Sequence, residues 1–180
     1  MKYQNLIDQI INGVFSRDEL KIVEANAKRS SAIGKLGSED ILDALKRGKA
    51  KETYILFMGF CPGAKIENRL DTYWKEKEIC RFDFLLSKSQ LIRFENVYVD
   101  DLIILKKREK FGKTMKLYGH GRVKSIMYDQ NGIRYFNMKW SKQHDIIEVP
   151  LLGANSTVDI RSMKRIQDEM PEEFFSWVKE

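Results

Sequence analysis

Apolar residues in the first 49 positions recur at helical spacing. Leu6, Ile7, Ile10 and Ile11 form one stripe, and Gly13 closes it. Ser16 is followed three positions later by Glu19, the spacing of a capping box, ahead of a helix carrying Leu20, Val23 and Ala27. Ser38, with Glu39 and Asp40 behind it, reads as the cap of a third helix that presents Ile41, Leu42 and Leu45 and ends at Gly48. Three short helices bury little by themselves. The segment 1–49 is expected either to pack on the domain that follows or to offer a surface to another protein.

The period changes at Thr53. TYILFMGF is compact and rich in β-branched and aromatic residues, which predicts a buried strand ended by Cys61-Pro62-Gly63. Residues 64–78 set Ile66, Leu70 and Trp74 near helical spacing and predict a helix. ICRFDFLL, QLIRF, LIILKK, KLYGHGRVKSIMY, IRYFNMKW and IIEVPLL predict short strands, with turns at Asp100-Asp101 and over 129–132. Asn131-Gly132 between two alternating segments is a hairpin signal. The tail MPEEFFSWVKE opens with Pro171 and two acids and gathers Phe174, Phe175 and Val178, with Trp177 close by, so it predicts a helix that closes one end of the sheet. Regular crossover helices are missing, which argues against a doubly wound sheet. The expected class is α+β: a helical segment over 1–49, then a partly open mixed or antiparallel β-barrel over 53–180.

Charge sharpens the picture. The 180 residues carry a net +6, yet residues 101–142 alone hold 11 Lys or Arg against three acids, while residues 143–180 hold four against eight. The basic face must come from the middle of the chain, and its natural partner is a polyanion. Lys106, Lys107, Arg108, Lys110, Lys113 and Lys116 fit phosphate contacts, which give affinity without sequence choice; a solvated loop is the alternative. In Tyr118-Gly119-His120-Gly121-Arg122 the glycines would let a backbone or base come close, His120 would donate to a phosphate or base edge, and Arg122 would fork onto phosphate or guanine. Lys124 extends that run. The bland reading is a strand bend with His120 on the surface. Asn155, Ser156 and Thr157 offer hydrogen bonds to a base edge or phosphate, with Arg161, Lys164 and Arg165 behind them, or else cap their own turn. Trp74, Tyr118, Tyr135 and Trp140 suffice for a base pocket, each stack being worth about 1–3 kcal/mol. Phe57, Phe82, Phe84, Phe136 and Phe175 are assigned to the core.

Cys61 and Cys80 are the only cysteines and form neither a close-spaced metal motif nor a disulfide framework. The N-terminal segment has no signal-peptide core, and no run approaches 18 apolar residues. A cytoplasmic protein with no cofactor and no membrane partner is expected.

A turn before an apolar strand (VDDLIIL), a glycine-bracketed strand (YGHGRVKSI), a hairpin strand ending in an aromatic (YFNMKW) and a late segment before a closing helix (IRSMKRI) resemble the PUA-like superfold, whose branches include the ASCH, EVE, YTH and SRA-related domains. The resemblance covers roughly residues 53–178. It implies a barrel that binds RNA, or that reads DNA bearing a modified base by admitting a flipped nucleotide. Some bacterial members act in defence against foreign DNA, which puts DNA ahead of RNA as the expected partner. Residues 1–49 would then recruit an effector protein or mediate self-association.

Chemistry is less well supported. A metal-dependent nuclease needs convergent carboxylates with a lysine close by. Asp71, Glu76, Asp83 and Glu95 with Lys75 and Lys77 show no clean spacing, and Asp83 is the acid to test. No phosphate-binding glycine loop is present. His120 and His144 lie on opposite sides of a hairpin, with nothing linking them as an acid–base pair. The expectation is a binding module, with a nuclease or a protein-docking subunit as alternatives.

Overall fold

The computed structural model describes residues 3–82, 87–109, 112–142 and 145–179. Three helices come first: α1 (Gln4–Ile11), α2 (Arg17–Ala32) and α3 (Ser38–Lys46). The capping box opens α2, since Ser16 Oγ accepts from Glu19 N and the Glu19 carboxylate accepts from Ser16 N. α3 starts differently from the expectation. Gly37, at φ 86, is its cap, and Ser38 is the first helical residue, its hydroxyl donating to Lys35 O at 2.6 Å. A Cβ at position 37 would stand 2.6 Å from the Tyr3 ring, so close approach as well as φ selects glycine there.

The rest of the chain is β1 (Tyr54–Gly59), α4 (Asp71–Glu76), β2 (Ile79–Cys80), α5 (Lys88–Glu95), β3 (Leu102–Arg108), β4 (Thr114–Tyr128), β5 (Arg134–Trp140), β6 (Ile147–Pro150), β7 (Val158–Ser162), α6 (Met163–Glu169) and α7 (Glu172–Val178). The strands form one sheet in the order β2-β5-β4-β3-β1-β7, with β6 beside the start of β4. β1 and β3 run parallel and the other pairs antiparallel. The sheet is therefore mixed, and because its two ends do not pair it is not closed into a barrel. The class is α+β, with helices at both ends of the chain.

Three stretches differ from the sequence reading: of ICRFDFLL, Ile79–Cys80 is a strand, Arg81 and Phe82 are not, and 83–86 lie outside the described residues. QLIRF lies in α5, not in a strand: only Phe94 of that helix is buried, packed 4.3 Å from Phe82 and 4.5 Å from Phe136 between ring centroids. Five residues with three apolar positions carry no period long enough to separate the two conformations. Residues 64–78 are helical only over Asp71–Glu76; short 3-10 turns precede it at Pro62–Ala64 and Ile66–Asn68. The Leu70 amide donates to Phe60 O at 2.9 Å, which ties the helix start to the end of β1 and leaves Ile66 exposed.

The sheet buries both faces. Leu56, Met58, Ile103, Leu105, Phe136 and Met138 share one cluster with Ile7, Ile10, Leu20 and Ile41 of the first helices. Ile55, Phe57, Leu102, Ile104, Met115 and Leu117 pack on Ile166, Phe174 and Trp177 of the last two. A buried ion pair adds to the first contact. Arg17 grips Asp101 with both terminal nitrogens, at 2.6 and 2.9 Å, and stacks 3.9 Å above the Tyr54 ring. Asp101 also accepts the Tyr54 and Tyr98 amides, each at 2.8 Å, so the charge buried at the start of β3 is fully used.

Candidate nucleic-acid interface

The basic run splits between interior and surface. Lys106 is 3 % exposed. Its Nζ donates to Ala154 O, to Ser156 O at 2.8 Å and to Asp159 Oδ2 at 3.0 Å. Burial holds this ammonium down to about 8, with Asp159 opposing the shift. The side chain is a structural staple and not a surface phosphate contact. It keeps the inward phase of Leu102 and Ile104 along β3 and stands opposite Leu117, while the register shift at this point adds Tyr118 to β4. Lys107 and Lys116 face each other across β3 and β4, with Glu109 3.6 Å from Lys107 and Glu148 opposite Lys116 in β6. Arg108 and Lys113 are exposed, and Lys110 lies outside the described residues.

His120 is also inside. It is 2 % exposed, with Nε2 3.0 Å from Trp177 O and its ring edge-on to that indole at 4.7 Å. The imidazole anchors α7 to the sheet, which moves it from the surface position expected for it. The glycines beside it serve packing. A Cβ on Gly119 would lie 2.8 Å from Lys75 Nζ, and one on Gly121 would lie 2.7 Å from the Trp140 ring. Lys75 Nζ donates to Tyr118 O at 2.8 Å, and burial lowers its pKa against the pull of Asp71.

Past α7 the same sheet face is open. Pairing sets Arg122 opposite Lys139, Ser125 opposite Asn137 and Met127 opposite Tyr135, with a bulge at Lys124. Arg122, Lys124 and Lys139 are exposed; Asn137 Nδ2 donates to Ser125 Oγ at 3.0 Å. Arg122 donates to Asp100 O at 3.0 Å, and Lys124 lies 3.5 Å from Glu78. Lys139 and Asn137 escaped the sequence reading, although the alternation that exposes Tyr135 exposes them too.

The four aromatics do not form one cage. Trp74 is fully buried, and its carbonyl accepts Trp140 Nε1 at 3.1 Å. Tyr118 packs edge-on to Phe60 at 4.9 Å, with the Arg69 guanidinium 5.6 Å from its ring centroid. Tyr135 projects from the opposite face of β5 to Trp140, because odd and even strand positions point apart. Of the phenylalanines assigned to the core, Phe57, Phe82 and Phe136 are buried, Phe175 is partly so, and Phe84 lies outside the described residues.

A second surface unites three segments that lie far apart in the sequence. Gly59 to Ala64, Lys106 to Arg108 and Asn155 to Thr157 line a cleft of about 480 Å³ beyond the C-terminal ends of β1 and β3. Asp159 holds its wall, accepting from Ser156 N at 2.9 Å and from Arg93 Nη1 at 3.2 Å as well as from Lys106. Arg161 is not part of it. That residue stands opposite Ile55 in register and donates to Ile160 O and Leu152 O. Arg165 pairs with Glu169 at 3.0 Å, and Lys164 is exposed beside it.

Of the acids considered for catalysis, Asp71 is 1 % exposed and held by Arg69 at 2.5 and 2.6 Å, while Asp83, like His144, lies outside the described residues. Among the described residues no three His, Cys, Asp or Glu side chains gather as metal ligands, and no helix is long and apolar enough to cross a membrane. No protein-family model and no curated protein matches this chain.

Proposed function

We propose that the protein is a nucleic-acid-binding module whose phosphate contacts lie on the open face of β4 and β5. The observation that carries this reading is the exposed cross-strand pair Arg122 and Lys139, with Lys124 at the adjoining bulge. Tyr135 lies on that face at the far end of the hairpin, where an aromatic ring can stack on an unpaired base. The resemblance of residues 53–178 to PUA-like domains supports the same class of partner and makes DNA carrying a modified or flipped base the first ligand to try. Guanidinium and ammonium groups presented from a rigid sheet would neutralise phosphates without reading sequence.

The test is competition binding with duplex DNA, unmodified or carrying modified cytosines, and with single-stranded DNA and RNA, at several salt concentrations. Replacing Arg122 and Lys139 with Gln should weaken every nucleic acid and reduce the slope of log K against log salt by about 2. Removing the Tyr135 ring should weaken single strands or an extruded base by about 1–3 kcal/mol and leave the slope alone. No binding above background at low salt would overturn the reading.

A further inference from the structure

The cleft beyond β1 and β3 is separate from the β4–β5 face. Leu102 stands opposite Arg122, and Lys107 lies five residues further along β3, about 17 Å at strand rise. We propose that this cleft is a phosphomonoester site, in which Lys107 and Arg108 hold the phosphate and Asn155, Ser156 and Thr157 hydrogen-bond the rest of the ligand. Adjacent parallel strands end at its mouth, which is where open sheets place ligands.

Its chemistry selects an anion. Lys107 and Arg108 are among its lining residues, Lys106 being spent on Asp159, and among the described residues no acid lines it. Glu109, 3.6 Å from Lys107, approaches from outside the lining. A phosphomonoester carries about −1.5 to −2 near neutral pH, a match for two cations that an internal phosphodiester would not make. The hydroxyls and amide of residues 155–157 supply neutral hydrogen bonds, and the half-buried Pro62 gives an apolar side against which a sugar or base can rest. The volume of about 480 Å³ lies in the range of small-molecule sites.

The wall is fixed before any ligand arrives. Lys106 clamps the carbonyls of Ala154 and Ser156, Asp159 takes the Ser156 amide, and Thr157 O accepts from Gly59 N at 2.7 Å. A wall held in this way costs little ordering entropy on binding. The phosphate could belong to a free mononucleotide or to the 5′ end of a strand, and the two share the chemistry recognised here.

Cys61 lines the cleft and reports on it, because the other thiol, Cys80, is buried. The experiment measures iodoacetamide alkylation of Cys61 and calorimetric binding on the whole chain, with AMP, adenosine, and a dinucleotide with or without a 5′-phosphate. AMP should slow alkylation, and adenosine should bind about tenfold more weakly or worse. Arg108→Gln, alone and with Lys107→Gln, should weaken AMP about tenfold, at an unchanged unfolding midpoint for the exposed single variant. Protection by AMP alone identifies a free nucleotide, and protection also by the 5′-phosphorylated dinucleotide identifies a strand end. Adenosine binding as well as AMP, no protection by either phosphorylated probe, or full AMP affinity in both variants would overturn the site. The Arg122→Gln, Lys139→Gln protein should keep AMP protection, so the two surfaces stand or fall separately.

Discussion

Single residues carry charges into places where the sequence gives no hint of burial. Lys106 sits in a run of cations, yet it is sealed against Asp159 and two carbonyls. Lys106→Met should lower stability by about 1–3 kcal/mol in a urea titration, because it leaves two buried carbonyls without their donor and Asp159 with Arg93 as its remaining cationic partner. Nothing in the sequence separates Lys106 from Lys107. Both lie on a strand whose two faces are covered, and the acceptors that enclose Lys106 come from residues 154–159, about fifty positions later. His120 escaped in the same way, since its indole and carbonyl partners lie 57 positions on. Cys61 is the second residue-scale case. Burial, helped by Asp71, pushes its thiol above the ordinary value of 9.0, while Lys107 and Arg69 pull the other way. Its alkylation rate in the free protein should therefore reach half-maximum above pH 9.0, and an inflection at or below that value would contradict the environment described.

At the level of elements, local signals were readable where one short stretch contains the whole cause. The Ser16–Glu19 box starts α2, and the 129–132 turn joins β4 to β5 with Gly132 N donating to Asp129 O at 2.9 Å. Where the cause is distant, reading failed. α5 is helical though its three apolar residues, Leu91, Ile92 and Phe94, also suit a strand, and α4 is shortened by its tie to β1. The cleft was half legible: Asn155 to Thr157 and the cations were each singled out, but only the β1–β3–β7 pairing brings them together. Glycine shows the same division. Gly121 was visible as a place for close approach, while what approaches, the Trp140 ring and Lys139 O, is set by pairing across the hairpin. Gly121→Ala should cost about 1–3 kcal/mol through overpacking and loosen β4 from β5, seen as faster amide exchange along that hairpin.

Over the whole molecule, the first 49 residues and the sheet share one apolar cluster and the buried Arg17–Asp101 pair. Arg17→Met should therefore lower the unfolding midpoint by a loss of about 3–5 kcal/mol while helices and sheet still melt together; a separate early transition of the helices would show that the shared cluster does not couple them. The pairing of β1 has a further consequence, one of timing. On one side β1 pairs with β3, and on the other it waits for β7, about a hundred positions later in the chain. Until residues 158–162 have been made, the backbone edge of Tyr-Ile-Leu-Phe-Met lacks its outer neighbour. During synthesis that edge is an open template for wrong pairing, and a ribosome that stalls before residue 158 leaves it so.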